Sequence, residues 1–445
     1  MKKNGSPSGL SRRRFLAVTG LAVAAPTIIP ASALGREGRP APSNRIVMGV
    51  IGCGWMGGSN TEAFMNQADC QVVAACDVDA KHLQAMVERV NKHYGNRDCA
   101  AYDDYRKLLE RPDIDAVMLA LPDHWHALIS VEAARRGKDI YGEKPLARTI
   151  AEQQAIVRAV QKHGRIWQTG SWQRSQSNFL KAAEIVRNGL IGKIKRVEVG
   201  LPAGHSDFAK TKEKTAVTDP PPELDYDFWL GPAEWMPYIE ARVHKNWRWH
   251  YNTGGGQLLD WIGHHCDIAH WGLGNDDKIG PLEVEGTGEF PPRDAVWNTA
   301  TRYYITCKYP GDIEVIIAGG YDNIKGGTKW IGADGWVWVN RGAFDSSNPA
   351  WNEMGRLPES ERKISLYKST DHYRNFLDCV KSRKPTITPA EVAHHSAIPG
   401  HLGLIAMLVG RKIRWDAERE VILNDEGASE LLGRKYRLRW RGMGV

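Results

Sequence analysis

At 445 residues the chain is long enough for two domains, each able to bury a core without help from disulfides. Its formal charge of +7 is uneven: residues 1–33 hold five basic residues and no acid, and the remainder carries 54 basic against 52 acidic residues. That near balance argues against a nucleic-acid partner, and 42% hydrophobic residues is ordinary for a soluble globular protein.

The N-terminus reads as an address. Ser11-Arg12-Arg13-Arg14-Phe15-Leu16 matches the twin-arginine export pattern S-R-R-x-F-L. The mildly apolar residues 16–29 are broken by Thr19, Gly20 and Pro26 and are too short to span a bilayer. Ala31-Ser32-Ala33 supplies the small residues of a cleavage site. The expected partition is a signal peptide at 1–33 and a linker at 34–44. The twin-arginine machinery then delivers a folded, periplasmic chain that keeps no stable membrane anchor after cleavage. The seven cysteines, at 53, 70, 76, 99, 266, 307 and 379, are odd in number and lack zinc-site spacing. They read as small buried hydrophobes in a chain that folds in a reducing compartment before export.

Residues 45–51 form a continuous apolar run, the pattern of a parallel strand covered on both faces. Gly52-Cys53-Gly54-Trp55-Met56-Gly57 follows at once, then a helical stretch near 57–66 and a second strand at 71–76 that ends at Asp77. This is strand, G-x-G-x-x-G, helix, strand, acid, with Asp77 lying 20 residues after Gly57. Gly52 permits the tight turn, Gly54 lets backbone approach a pyrophosphate, and Gly57 lets helix and strand pack closely. Trp55 and Met56 belong to the same cofactor loop. The pyrophosphate is expected on the unpaired N–H groups of the helix N-terminus. Asp77 should accept hydrogen bonds from the adenosine ribose, which favours NAD; nearby Lys81 keeps NADP possible.

The alternation continues with helices near 79–93 and 103–110 and a strand at 115–121. Pro122-Asp123-His124-Trp125-His126 ends that strand, a helix runs to about Arg136, and a strand at 138–142 delivers Glu143-Lys144-Pro145. Asp77, His126 and Lys144 all fall at carboxyl ends of strands, where open α/β sheets gather their ligands. A Rossmann unit followed by a strand ending in E-K-P resembles the glucose–fructose oxidoreductase and inositol dehydrogenase family (Gfo/Idh/MocA). Proline holds the preceding residue away from helical angles, so Lys144 is presented at a strand end. The resemblance implies that Lys144 points at a substrate hydroxyl beside the nicotinamide, that Glu143 belongs to the same cofactor site, and that His126 lies near the cofactor.

A second match is Gly254-Gly255-Gly256-Gln257-Leu258-Leu259-Asp260-Trp261-Ile262-Gly263-His264-His265. Asp260 and His264 are four apart and share one helical face. The family's D-x-x-x-H pair falls on them, which implies His264 as general base assisted by Asp260. His265 is chemically as suited, and only the family spacing prefers His264; His265 is otherwise placed among substrate contacts. Trp172-Gln173-Arg174 resembles a segment with polar substrate contacts, so Trp172 and Arg174 join that set. His264, His265, Asp267 and His270 cluster in sequence, but no H-E-x-x-H motif appears and no metal is expected. The chain has 17 tryptophans, and aromatic faces stack on sugar rings, which suits a carbohydrate substrate.

The expected fold class is α/β: an N-terminal Rossmann domain at 45–165 and a C-terminal α+β domain at 166–445 containing a large, mostly antiparallel sheet. Strands are expected at 195–200, 299–309, 312–318 and 328–339, a helix at 176–188, and a loop-rich insert over 202–245 that shapes the substrate mouth. The resemblance implies a homo-oligomer assembled through the open face of that sheet. The expected activity is NAD(P)-dependent oxidation of a secondary alcohol on a sugar or cyclitol. Export combined with a dinucleotide site favours a retained cofactor and redox-neutral chemistry. The alternatives are NAD-assisted glycoside cleavage through transient oxidation, and a non-enzymatic sugar-binding protein with a vestigial Rossmann domain.

Overall fold

A computed structural model of the chain describes residues 41, 44–274 and 280–441. The twin-arginine motif and the expected cleavage site lie outside the described residues.

Six parallel strands form the first sheet: β1 (Ile46–Ile51), β2 (Cys70–Cys76), β3 (Ala100–Tyr102), β4 (Ala116–Leu119), β5 (Asp139–Gly142) and β6 (Trp167–Thr169), in the order β3-β2-β1-β4-β5-β6. This is the doubly wound dinucleotide-binding order, whose direction reverses between β1 and β4. Helices α1 (Trp55–Met65), α2 (Ala80–Tyr94), α3 (Tyr105–Leu109), α4 (His126–Arg135) and α5 (Ile150–Lys162) link the strands. The sheet extends past the expected boundary at 165, because β6 pairs parallel with β5. Three residues are too few to show a strand period, so β6 was not legible in the sequence.

The second sheet has nine strands. They are β7 (Ile194–Leu201), β8 (Glu283–Glu289), β9 (Arg302–Tyr309), β10 (Ile313–Gly319), β11 (Gly327–Gly332), β12 (Trp336–Asn340), β13 (Ala343–Ser346), β14 (Ile413–Asp416) and β15 (Val421–Ile422). Their order is β13-β12-β11-β7-β10-β9-β8-β14-β15, antiparallel except for the β7–β10 pair. The run expected as one strand over 328–339 is a hairpin of β11 and β12. Inward side chains such as Val197, Val199, Ile305, Ile317 and Trp330 alternate with Arg196, Glu198 and Lys308 on the other face.

Helices α6 (Ser177–Arg187), α7 (Tyr226–Leu230), α8 (Gly256–Leu273), α9 (Pro349–Glu353), α10 (His372–Ser382) and α11 (Ala390–Val409) complete the larger elements. α6 and α8 lie against the inner face of the sheet, and α11 packs on α8, α5 and β8. α11 is apolar enough to cross a membrane, but 78% of its apolar window is buried within the protein, as expected for a core helix. The C-terminal segment returns to the first domain. Phe376, Leu377 and Cys379 of α10 share a core with Phe64 and Tyr141, while Trp440 stacks on Phe228 and meets Trp125 edge to face. All seven cysteines are free and buried.

Candidate active site

The glycine loop at the end of β1 has the shape its sequence requires. Gly52 sits at φ +91°, and a Cβ there would stand 2.2 Å from the Ala120 carbonyl oxygen. A Cβ on Gly57 would stand 2.0 Å from the Gly52 carbonyl oxygen, so only glycine lets α1 approach β1 this closely. A Cβ on Gly54 would meet nothing within 4 Å, which leaves open space in front of the α1 N-terminus. That N-terminus has no side-chain cap, so its N–H groups are available to an anion. The Asp77 carboxylate accepts from the backbone N–H of Cys53 at 2.7 Å and of Asp79 at 2.9 Å, and burial pushes it above its ordinary value. Gly52, Gly54, Trp55, Met56, Asp77, Glu143 and Lys144 line one crevice. An open phosphate cradle with an acid at the end of β2 fits a dinucleotide.

The insert covers this crevice. Its Phe228, Trp229, His244 and Lys245, with Trp247 and Arg248 just beyond its end, line the crevice together with the glycine loop. The segment expected at the substrate mouth thus forms a wall of the nucleotide site. Its own core of Leu224, Tyr226, Trp229, Leu230, Met236, Tyr238, Val243 and Trp247 explains why it is ordered despite containing little regular structure.

At the inner end of the crevice the two domains meet. Lys144 Nζ donates to the Asp260 backbone oxygen and to Asp260 Oδ1, both at 2.9 Å. Arg248 Nε donates to the same Oδ1 at 3.0 Å. Burial alone would raise the Asp260 carboxyl, but Lys144 and Arg248 outweigh it and hold the group well below the usual carboxylate range. One turn on, a Cβ on Gly263 would stand 3.0 Å from Lys144 Cβ, so a glycine there lets α8 pack on the lysine. His264 is buried, and its Nδ1 has no hydrogen-bond partner. Burial, then the charges of Lys144 and Arg341, push the imidazole well below its ordinary value. A neutral imidazole can accept a proton, and an ammonium with three N–H groups keeps one for a substrate oxygen after Asp260 takes two. Glu143 beside them is buried and accepts from Asn60 Nδ2 at 2.8 Å, and Asn60 in turn accepts from the Tyr373 hydroxyl at 2.9 Å.

Residues 46–171 match a family model described as the NAD-binding Rossmann fold of the oxidoreductase family, and residues 176–442 match its C-terminal alpha/beta domain. The chain belongs to the Gfo/Idh/MocA oxidoreductase family. This Gfo/Idh/MocA protein is 27% identical to the uncharacterized oxidoreductase YrbE of Bacillus subtilis over 53% of its own chain and 55% of the relative. It is 30% identical to inositol 2-dehydrogenase of Salmonella paratyphi B over 32% of its chain and 42% of the relative. It is 29% identical to glycosyl hydrolase family 109 protein 1 of a Shewanella species over 42% of its chain and 44% of the relative. The chain thus spans about half the length of the curated relatives it matches. Among solved structures, the aldose-aldose oxidoreductase of Caulobacter crescentus shares the fold at TM-score 0.59 and 18% identity, over 83% of this chain and 99% of that one. The WlbA dehydrogenase of Bordetella pertussis in complex with NADH and UDP-GlcNAcA does so at TM-score 0.61 and 17% identity, over 84% and 99%.

Within this Gfo/Idh/MocA site two expected residues fall elsewhere. Arg174 is buried in an ion pair with Asp267, Nε to Oδ2 at 2.8 Å and Nη2 to Oδ1 at 2.9 Å, with its guanidinium 5.2 Å from the Trp271 ring. Its fork is already occupied by that carboxylate, so it is a core charge and not a substrate contact. His265 lies about 100° further round α8 than His264. It stacks on Trp261 at 5.8 Å and tilts against Phe179 at 6.4 Å, and burial pushes it down to about 3. It belongs to the α6–α8 interface, not to the substrate side. His126 is buried just behind the crevice lining, with Nδ1 2.8 Å from the Pro145 oxygen and Nε2 2.9 Å from the oxygen of Leu121, which lines the crevice. It ties the turn after β4 to the loop that carries Lys144.

Trp172 does approach His264, edge to face at 6.2 Å, and Trp261 does so from the other side at 5.4 Å. Arg341, from the turn between β12 and β13, lies between them, 4.4 Å from the Trp172 ring and 4.6 Å from the Trp261 ring. Arg341 has no local sequence signal: a hairpin tip brings it to a helix some 80 residues earlier. Asp123 was likewise unread. It is buried, its Oδ1 has no partner, and burial followed by the Asp260 charge raises it to about 7.

Proposed function

We propose that this protein oxidises a secondary alcohol of a sugar or cyclitol, with NAD bound in the crevice between the glycine loop and the insert. NAD supplies the hydride acceptor when bound. His264 takes the hydroxyl proton, and Lys144 donates its remaining N–H to the same oxygen, stabilising the negative charge that develops there. Asp260 acts by fixing Lys144, which it holds by two hydrogen bonds. Trp172 and Trp261 flank His264 where a sugar ring would sit, and Arg341 supplies a cation for hydroxyl oxygens or an acidic substituent.

One observation carries this reading: Lys144, which lines the dinucleotide crevice, is hydrogen-bonded to Asp260 of α8, and His264 lies one turn further along that helix. The likeness to inositol 2-dehydrogenase supports a polyol substrate. The twin-arginine motif supports work in the periplasm, where free NAD is scarce, so we further propose that the cofactor stays bound between turnovers. Closure of the insert over the crevice is consistent with this. We also propose a homo-oligomer assembled through the open face of the nine-stranded sheet.

A retained cofactor must return to its starting state, which favours a second reading, glycoside cleavage by transient oxidation. In that route a keto group acidifies the adjacent C–H, and elimination expels the glycosidic oxygen. The likeness to a glycosyl hydrolase family 109 protein also supports it. The test begins with mass spectrometry of nucleotide released from denatured protein. The native holoenzyme is then incubated with free sugars, cyclitols and aryl glycosides. Up to one equivalent of enzyme-bound NADH, formed from a free sugar or cyclitol with no aglycone to release, supports the first reading. Aglycone released without net NADH supports the second. Protein that binds no dinucleotide overturns both.

A further inference from the structure

Among the described residues two clusters of ligand-type side chains lie outside the Lys144 group, and one of them joins the insert to the first domain. Asp79 caps α2 and His82 lies in its first turn, while His244 comes from the far end of the insert. One carboxylate oxygen and one ring nitrogen from each histidine all lie within 4.8 Å of one another. Asp79 Oδ1 is fixed by the N–H groups of Lys81 at 2.9 Å and His82 at 3.1 Å, which leaves Oδ2 to face His244. The distance from Asp79 Oδ2 to His244 Nε2 is 3.5 Å. That is long for a hydrogen bond. It is close to the spacing of about 3.4 Å expected between two ligands on one tetrahedral zinc ion with bonds of roughly 2.0–2.1 Å. The two imidazole rings meet edge to face, with centroids 4.7 Å apart.

His244 also holds a left-handed backbone conformation, φ +51°, which is uncommon for a residue with a side chain. The middle of the insert is already stitched to the same short segment. Asp79 and Leu224 form a β-bridge, Ala80 N donates to the Glu223 oxygen at 2.9 Å, Asp225 N donates to the Val78 oxygen at 3.0 Å, and Lys81 pairs with Glu223. His244 marks the place where the far end of the insert comes back to α2 before Trp247 and Arg248 turn into the crevice.

We propose that Asp79, His82 and His244 form a divalent transition-metal site, suited to zinc, that clasps the end of the insert to α2 in the wall of the nucleotide crevice, which all three residues line. Two imidazoles and a carboxylate match zinc's preferred donors, with water in the fourth position. The site's role is to position the insert: it lies in the crevice wall two residues beyond Asp77 and takes no part in the chemistry assigned to Lys144 and His264.

The test uses full-length protein without a histidine tag, stripped with chelator and titrated with zinc. Wild type binds one equivalent more than His82→Asn or His244→Asn, each checked for an unchanged melting temperature in the metal-free state. His395→Asn, in the separate His394–His395–Glu420 cluster, keeps that equivalent. Cobalt in place of zinc gives visible d–d absorption in wild type that both site variants lose. Zinc slows tryptic cleavage at the exposed Lys212 and Lys214 in wild type, and not in the variants. Equal zinc binding by wild type and both site variants overturns the proposal, as does an equivalent lost in His395→Asn instead. If His244→Asn does not fold, His82→Asn and the wild-type cobalt spectrum decide the matter alone.

Discussion

Lys144 at the end of the E-K strand and Asp260 in the first half of α8 share two hydrogen bonds of 2.9 Å, one to the carboxylate and one to the backbone oxygen. Both side chains are nearly buried, 12% and 13% exposed, so the pair sacrifices hydration that an apolar pair would not. Such a pair is weak evidence for stability and better evidence for a site. It fixes the ammonium one turn before His264 on α8.

His264→Ala should lower kcat by about 100- to 10,000-fold, the usual loss for a general base. His265→Gln should change kcat only slightly and instead lower the melting temperature, since that ring packs against Trp261 and Phe179. Steady-state kinetics on the substrate found in the panel, beside thermal melts, separates the two residues. Equal losses of kcat in both would put the base assignment in doubt.

Gly54→Val and Gly57→Ala should fail in different ways. A Cβ at 54 faces open space, with nothing within 4 Å, so the fold should melt as wild type does while dinucleotide binding is lost. A methyl at 57 collides with backbone, 2.0 Å from the Gly52 oxygen, and should destabilise the protein by about 1–3 kcal/mol or more. Melting curves with and without NAD read both outcomes.

Arg174→Ala leaves Asp267 as a buried carboxylate without its guanidinium. Removing one partner of such a pair costs about 3–5 kcal/mol. Denaturant unfolding should show that loss, and Arg174→Met with Asp267→Leu should recover most of it. A substrate-binding arginine would instead raise KM and leave unfolding unchanged.

Asp123 gives a pH signature. Its carboxyl rises from 3.8 to about 7 in the folded protein, through burial first and the Asp260 charge second. The folded state therefore holds this proton more tightly than the unfolded state does. The stability it contributes is complete below about pH 4 and is lost as pH rises through about 7. Asp123→Asn stays neutral throughout, so its melting temperature should gain on wild type across that window, by several degrees at pH 8. Parallel curves for the two proteins would show that Asp123 ionises normally.

The nucleotide cradle was legible because its logic is local. An apolar run, three glycines and an acid at set spacing fix a turn, a close approach and a hydrogen-bond acceptor within about thirty residues. The i, i+4 relation of Asp260 and His264 was legible for the same reason, while their conjunction with Lys144 rested on resemblance. Arg174 was misread because its neutralising partner, Asp267, lies 93 residues away. Arg341 and Asp123 went unread because a hairpin tip and a buried turn acquire chemistry only from what folding sets beside them. The insert was read as a loop, but the side it covers depends on a β-bridge between Asp79 and Leu224.

From its amino acids alone this chain specifies two domains, a dinucleotide crevice and the residue types of a proton-transfer site, because backbone turns and helical periodicity act over a few residues. Tertiary structure decides which histidine is free, which arginine is spent in the core, and which carboxylate stays protonated. Those outcomes depend on burial and on charges drawn from distant parts of the chain, and both quantities exist only after the two domains have packed together.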